Sequence, residues 1–215
     1  MSKKIMLFAL VVASVAMFAL PAAASAQEVH LEGITSFSGT AVAGSLTTEG
    51  EPVITCASGD VSGAFSAGGT TGEISLDFTG CHTIILGITT KCRTSGSPID
   101  NTIRSSGVFH LITISASKPG ILVTPVVTTI MCAGITNTIT GGNVIGTITS
   151  PACGAQSASL TTKFGATGAA QEHTTYTGST FNLTTKTGEG GTVKKAGLFS
   201  NATVVAATEG VLNCT

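Results

Sequence analysis

Hydrophobic and polar residues alternate along much of the chain after residue 27, which is the periodicity of a β-strand with one buried face. Residues 73–79 read Glu-Ile-Ser-Leu-Asp-Phe-Thr, with the apolar side chains on one side and the polar ones on the other. Residues 108–115 are apolar on both faces apart from His110 and Thr113. Further strands are predicted at residues 157–164, 180–184, 202–207 and 211–214.

Glycine and proline interrupt this pattern and predict turns at Gly68-Gly69, Ser97-Pro98, Lys118-Pro119-Gly120 and Gly141-Gly142. Helical periodicity is weak after residue 27, and only residues 165–172 are compatible with a brief helix. Short strands separated by such turns are typical of all-β proteins. We therefore predict an antiparallel β-sandwich or barrel-like single domain.

The composition supports this fold class and excludes several others. The chain of 215 residues contains 36 threonines, 27 glycines, one tyrosine and no tryptophan, and only 10% of its residues are charged. Threonine suits a pleated strand, whereas a helical protein or coiled coil would be rich in Ala, Glu, Lys and Leu. The ten basic residues are scattered along the chain, so we expect no nucleic-acid binding.

The first 26 residues have the three parts of a secretory signal peptide. Lys3 and Lys4 precede an apolar run at residues 5–20, and Ala24-Ser25-Ala26 forms a small-residue cleavage site. We predict Sec-type export with cleavage after Ala26 and a mature domain of residues 27–215. The alternative, an uncleaved membrane anchor, is disfavoured because the apolar run falls short of the roughly 20 residues that span a bilayer.

The predicted mature part contains no second apolar run of spanning length. The longest candidate, residues 121–131, is interrupted by Pro125 and carries three threonines. Losing Lys3 and Lys4 leaves eight basic and eleven acidic residues, so the net charge falls from −1 to −3. We expect a secreted or cell-surface protein without a transmembrane helix in its mature part.

Six cysteines follow the predicted signal peptide, an even number that indicates disulfide bonds in an exported protein. A metal site is disfavoured because the chain has no C-x-x-C motif and no histidine at ligand spacing. Counting alone leaves every pairing open. The candidates are Cys56, Cys81, Cys92, Cys132, Cys153 and Cys214.

A weak internal sequence similarity bears on these pairings. Ile54-Thr55-Cys56-Ala57 is similar to Ile130-Met131-Cys132-Ala133, and each is followed by a glycine-rich stretch, a strand and another cysteine. This similarity is compatible with a duplication around residues 54–81 and 130–153. A duplication would pair Cys56 with Cys81 and Cys132 with Cys153.

Several short motifs resemble those of a large group of uncharacterised secreted actinobacterial proteins. In the first half these are Ile54-Thr55-Cys56, residues 78–81 (Phe-Thr-Gly-Cys) and residues 92–96 (Cys-Arg-Thr-Ser-Gly). The second half is similar at residues 120–125, 142–146, 163–164, 171–172 and 196–198. The resemblance covers about residues 50–205, implies an exported β-rich domain, and carries no activity or ligand that could be transferred.

The resemblance also implies a disulfide arrangement. The cysteines common to the group match Cys56, Cys81, Cys92 and Cys132. Cys153 and Cys214 are then additions that pair with each other. Cys81 and Cys92 are close enough in sequence to enclose a loop around residues 84–88, which leaves Cys56 with Cys132. The preferred pairs are therefore Cys81–Cys92, Cys56–Cys132 and Cys153–Cys214, with the duplication pairing as the alternative.

Residues that could carry chemistry are few and lack the spacing of known sites. Glu172 next to His173 could act as an acid–base pair. If they lie on a strand, however, neighbouring residues point to opposite faces. His82 and His110 are expected to be structural strand residues. Asp60, Glu73, Asp77 and Asp100 could supply the paired carboxylates of a glycosidase, although Glu73 and Asp77 fit a solvated strand face. We predict no catalytic, cofactor or metal site.

The sequence therefore predicts an exported, non-enzymatic domain with a structural or binding role, outside the cell or associated with its envelope. Two alternatives remain open: a secreted hydrolase with an unrecognised site, and a β-barrel or pore of the cell envelope. A hydrolase requires a polar cleft with converging groups. A pore requires a barrel with an apolar outer band. A third, minor alternative is a carrier of a small ligand in an apolar interior.

Overall fold

The computed structural model describes residues 29–115, 118–133, 135–188 and 190–214, and for residues 135–141 it describes the backbone only. The predicted signal peptide and its cleavage point lie outside these residues. Every regular element described is a β-strand, which confirms the all-β class. No helix in this part of the chain is long and apolar enough to cross a membrane.

Sixteen strands follow one another along the described chain, and twelve of them belong to one sheet. Four short strands form two separate hairpins. The strands are β1 Val29–Glu32, β2 Ser36–Thr48, β3 Ile54–Phe65, β4 Thr71–Thr79, β5 His82–Ile85, β6 Ile88–Thr94, β7 Thr102–Ser115, β8 Lys118–Cys132, β9 Ile135–Ser150, β10 Gln156–Phe164, β11 Ala166–Thr167, β12 Ala170–Gln171, β13 Thr175–Tyr176, β14 Ser179–Thr180, β15 Leu183–Thr187 and β16 Val193–Cys214.

The large sheet closes on itself, so the fold is an antiparallel barrel and not a two-sheet sandwich. Strand pairing runs β2–β3–β4–β7–β8–β9 and returns through β10 to β16, which pairs with β2. The wall therefore has eight positions. Closure gives every wall strand a paired neighbour on both sides and removes the free edges that an open sheet would expose.

At several positions of the wall, two strands lie end to end and pair with the same neighbouring strand. Strands β4 and β5 both pair with β3, and β6 and β7 both pair with β8. Strands β10 and β15 both lie between β9 and β16, and β1 continues β2 along β16. We call the end with the β2–β3, β5–β6, β8–β9 and β15–β16 turns the lower end, and the opposite end the upper end.

Residues 165–182 leave the wall between β10 and β15 and cover part of the outer surface. Tyr176 and Phe181 pack against an apolar cluster on the outer face of β7, β8 and β9, formed by Ile112, Leu122 and Ile145. This cover explains why residues 108–115 are apolar on both faces. The brief helix compatible with residues 165–172 is not formed, because the β11–β12 hairpin occupies them.

The barrel interior is filled by apolar side chains. Phe37, Phe65 and Phe109 meet edge to face in its upper half, with ring centroids 5.0–5.8 Å apart. Phe78 and Phe164 are buried below them in the same core. Edge-to-face contacts are a favourable arrangement of aromatic rings.

Some predicted boundaries differ from the structure. Strand β4 matches residues 73–79, but the two predicted closing strands are one strand, β16, of 22 residues. Pro119 and Gly141-Gly142 lie within β8 and β9 and not in turns. Gly142 is needed for close packing, because a Cβ there would lie 2.9 Å from the side chain of Leu183. Such strand glycines resemble turn signals in the sequence.

Candidate functional site

One polar cluster brings together the sequence-predicted pair Glu172 and His173. The two residues lie in a bend between β12 and β13, not on a strand, so their side chains do not point to opposite faces. Glu172 Oε1 lies 3.7 Å from His173 Nε2. The expectation that strand geometry would separate them is therefore wrong, because the chain turns at this point.

The surroundings of His173 resemble a catalytic relay only superficially. Thr147 Oγ1 on β9 lies 3.1 Å from the same Nε2 atom that faces Glu172. A nucleophile–histidine–carboxylate relay needs the hydroxyl and the carboxylate on different ring nitrogens. Lys163 Nζ lies 3.9 Å from the other carboxylate oxygen of Glu172. The cluster thus fastens residues 165–182 to the barrel wall.

Burial lowers the pKa of His173, and the nearby charge of Lys118 acts in the same direction. Glu172 opposes this shift, and Lys163 adds to it. The imidazole is therefore neutral at pH 7. A neutral ring can accept a hydrogen bond from the Thr147 hydroxyl, in keeping with a structural contact.

The candidate carboxylates lie on the outer wall. Asp60 and Asp77 are direct partners across β3 and β4, and Asp77 faces Arg104 on β7 at 3.3 Å. Glu73 is exposed on β4, as predicted, and Asp100 binds Arg93 at 2.9 Å in the loop before β7. Asp60 and Asp77 are therefore close, and together they border a depression on the outer wall, where they lie on adjacent strands of one face and not on opposite walls of a cleft.

The remaining histidines occupy separate positions. His82 begins β5, with Nδ1 3.1 Å from the carbonyl oxygen of Gly80. His110 is half-buried in β7, and His30 of β1 contacts Glu32 and Asn213. Within the described residues, no three or more His, Cys, Asp or Glu side chains are grouped to hold a metal ion.

Two apolar cavities lie inside the barrel. One, of about 70 Å³, is bordered by Phe78, Ile103 and Leu183, and the other, of about 40 Å³, by Phe37 and Val61. Both are smaller than the roughly 150 Å³ cavity that admits benzene in a protein core. In this conformation the interior is a packed core with small voids.

The disulfides differ in part from the preferred arrangement. The structure pairs Cys56 with Cys81 and Cys92 with Cys132, so the preferred pairs Cys81–Cys92 and Cys56–Cys132 are wrong. Cys153–Cys214 is present as preferred. Of the duplication pairs, Cys56–Cys81 is found, whereas Cys132–Cys153 is excluded by the other two bridges.

The first four cysteines lie side by side because β3, β5, β6 and β8 are neighbours at this level. Cys92 is the direct strand partner of Cys132, and its amide donates to the carbonyl oxygen of Cys81. Each cysteine of the β5–β6 hairpin therefore has two cysteine neighbours. The bonds form outward, from the hairpin to the wall on either side, and sequence spacing could not decide between these neighbours.

The tip of this hairpin is the most exposed apolar feature described. Leu86 is 98% exposed, Ile88 69% and Ile84 59%. Sequence reasoning treated these residues only as a loop that a disulfide could enclose. The available signal was the run Ile-Ile-Leu-Gly-Ile at residues 84–88, in which four large aliphatic residues surround a turn glycine.

No family model, curated protein or solved structure matches this chain.

Proposed function

We propose that the protein is an exported, non-enzymatic barrel domain with a structural or binding role outside the cell or at its envelope. The observation that carries this proposal is the set of three disulfides, each of which fastens a hairpin or a connection to the wall. Cys56–Cys81 and Cys92–Cys132 hold the β5–β6 hairpin. Cys153–Cys214 holds the β9–β10 connection to the end of β16.

These bridges are informative because disulfides persist in oxidising compartments and are rare in the reducing cytosol. No cysteine among the described residues is free. A barrel whose short hairpin depends on two bridges suits a compartment in which those bonds form. The three bridges therefore support the export predicted from residues 1–26.

The layout of the polar residues supports a non-enzymatic role over the hydrolase alternative. Asp60 and Asp77 stand on an open wall, and Arg104 contacts Asp77. His173 contacts the Thr147 hydroxyl, but Glu172 faces the same ring nitrogen, which does not make a relay. Both arrangements fit roles in the structure.

The burial pattern disfavours the pore alternative. Along β3 and β4, buried residues such as Val61 and Ile74 alternate with exposed ones such as Asp60 and Glu73. On these two strands the apolar side chains point into the barrel and the polar ones point out. Outer-membrane barrels have the reverse arrangement, with an apolar outer band and a polar interior.

Intact mass of the full chain, expressed in a secreting host, tests the proposal. We expect a product that begins at Gln27 and takes up thiol reagent on six cysteines only after reduction. Free thiols before reduction, or a retained residue 1–26 segment, would contradict the proposal. Turnover of a polysaccharide or peptide substrate that is lost in both Asp77→Asn and His173→Gln would instead support the hydrolase.

A further inference from the structure

The β5–β6 hairpin projects beyond both of its neighbours in the wall. Strand β5 pairs with β3 only at His82 and Thr83, and β6 pairs with β8 only from Cys92 to Thr94. From Thr83 to the turn the hairpin extends three further residues, which is roughly 10 Å at the rise of a β-strand. Beyond these positions the hairpin pairs with neither β3 nor β8, and Ile84, Leu86 and Ile88 at its tip are exposed.

The projecting part is apolar where a surface turn would normally be polar. The two turn residues, Leu86 and Gly87, both have positive φ, at 50° and 79°. Asn-Gly is the favoured pair for this turn, since a bulky residue such as leucine is strained at positive φ. Leu86 is nonetheless almost fully exposed. Neither backbone preference nor packing within the chain accounts for a leucine here.

The hairpin is also held in a fixed position. Disulfides join it to β3 on one side and β8 on the other. The Thr83 hydroxyl donates to the carbonyl oxygen of Val53 at 2.8 Å. A rigidly mounted apolar tip loses little conformational entropy when it enters another phase or binds a partner.

Other residues at the lower end have a similar character. Val53 and Val193, in or beside neighbouring turns, are 42% and 61% exposed. The described turns of the upper end, residues 66–70 and 151–155, contain no exposed large hydrophobic residue. Exposed valines also occur on the wall, at Val42, Val108, Val127 and Val205, but among the described turns of the two ends the exposed large aliphatic residues lie at the lower end.

Basic residues accompany these apolar side chains. The described residues of the lower end include four lysines and two glutamates, although the whole chain has a net charge of −1. Lys194 is paired with Glu51, while Lys91 and Lys195 are exposed. Glu189 lies outside the described residues. The lysines are Lys91, Lys186, Lys194 and Lys195, and the glutamates are Glu49 and Glu51.

We propose that the β5–β6 hairpin is a membrane-contacting finger that inserts Ile84, Leu86 and Ile88 into the surface of an anionic lipid bilayer. The inference rests on the proposed location outside the cytoplasm and names the partner there. The projection of the tip matches the roughly 5–10 Å depth to which interfacial segments enter a bilayer. Lys91 and Lys195 would meet the anionic headgroups.

A lipid surface fits this tip better than a protein partner or a second copy does. Three aliphatic side chains on a convex turn cannot cover the roughly 800 Å² that each partner contributes to a stable protein interface. For burial, these three side chains need only the fluid acyl region of a bilayer around them. Insertion of a small apolar tip, helped by nearby lysines, requires no complementary shape.

The test is flotation of the exported, disulfide-bonded protein with vesicles. One vesicle contains equal parts of phosphatidylglycerol and phosphatidylcholine, and the other contains phosphatidylcholine alone. We expect binding to the mixed vesicle and about tenfold weaker binding of the variant Ile84→Thr/Leu86→Asn/Ile88→Thr. Threonine keeps the β-branched shape, and asparagine suits the turn, so this variant should fold normally.

The matched control replaces three exposed valines on the wall, Val42→Thr/Val108→Thr/Val127→Thr, and should bind as the parent does. Equal binding by the parent and the hairpin variant would overturn the proposal, as would absence of parental binding to the mixed vesicle. Equal binding to the two vesicles would overturn the part assigned to Lys91 and Lys195. Dimers that only the hairpin variant loses, without vesicle binding, would replace the bilayer by a second copy.

Intact mass of the same sample separates this inference from the proposed function. A product beginning at Gln27 with three disulfides but no vesicle binding refutes the finger alone. A product with free thiols or a retained residue 1–26 segment refutes the proposed function, whatever its vesicle binding.

Discussion

At the scale of single residues, Gly146 shows how the barrel accommodates its aromatic core. A Cβ at Gly146 would lie 2.8 Å from the ring of Phe164 and 3.2 Å from Ile121. Phe78 is packed in the same way against Gly44 and Gly59. Small and large residues alternate so that the rings fit inside a barrel of eight strands. Much of the chain's glycine content therefore serves packing and not only turns.

We predict that Gly146→Ala lowers the free energy of unfolding by about 1–3 kcal/mol, the usual cost of overpacking a core. The three atoms nearest to the added methyl group belong to the side chains of Phe164 and Ile121, so the effect should come from these residues. Denaturant unfolding followed by circular dichroism measures it.

Phe164→Leu provides the control for this prediction. Phe164→Leu alone should also be destabilising, but Gly146→Ala combined with it should cost less than the sum of the two single changes. Strict additivity would show that the ring is not what excludes a side chain at Gly146.

His173 is the residue from which we predict a pH dependence. Burial and Lys118 lower its pKa below 6.5, so the unfolded chain binds a proton at this position more readily than the folded protein does. Stability should therefore fall as the pH drops below 6.5 and should not change at this site above it. Unfolding midpoints at pH 7.5 and 5.5 measure the effect.

His173→Gln keeps a hydrogen-bonding group near Thr147 and removes the titration. The variant should lose the part of the acid sensitivity that His173 causes. His82→Gln, in which the changed residue lies at the start of β5, is the matched control and should keep it. An unchanged pH profile in His173→Gln would show that other groups cause the sensitivity.

At the scale of the element, the β5–β6 hairpin depends on its bridges more than a regular wall strand does. Its backbone pairs with β3 at two positions and with β8 at three. Strands β2 and β3, by contrast, pair at ten positions. A disulfide on each side compensates for the short ladders.

We predict that Cys92→Ala/Cys132→Ala lowers the free energy of unfolding by roughly 2–4 kcal/mol. Both cysteines are replaced so that no free thiol remains. The loss should be accompanied by faster amide exchange in β6 than elsewhere, because only three residues of β6 pair with β8. Hydrogen exchange read by mass spectrometry locates the effect.

Cys153→Ala/Cys214→Ala is the control, because it opens a bridge at the upper end of the barrel. This variant should lose comparable stability without accelerating exchange in β6. The same exchange pattern in both variants would contradict a local role for Cys92–Cys132.

The elements also show where sequence patterns suffice. Strand β4 was predicted within two residues, because its alternation is strict and its inner face is the core. The two short hairpins within residues 165–182 were not predicted, because they form against an apolar outer face of the barrel that the sequence does not reveal. Tyr176 and Phe181 have no periodic partner nearby in the chain, and only folding brings Ile112, Leu122 and Ile145 to them.

At the scale of the whole molecule, the closed wall leaves a core with two small voids that share Ile74, Leu76, Phe164 and Ala202 as borders. Voids of this kind cost stability because the lining atoms lose contacts. They also give the interior some capacity to accept larger side chains.

We predict that Ala202→Val raises the free energy of unfolding by about 0.5–1 kcal/mol, because the added methyl groups fill space between the voids. Ala41→Val is the matched control. Ala41 is the direct strand partner of Ala202, is 3% exposed and borders neither void, so a valine there should destabilise by overpacking. Stabilisation in both variants, or in neither, would contradict the assignment of the voids.

The sequence by itself determined the fold class, because strict alternation and β-branched residues leave few alternatives to a sheet with one buried face. It also contained all six cysteines and the candidate residues Glu172 and His173. Only the tertiary structure decided between sandwich and barrel, since that choice depends on β16 returning to β2 across most of the chain. It likewise chose the partners of Cys56 and Cys92 and exposed the tip at Leu86. Register between distant strands sets these features, and local patterns do not contain it.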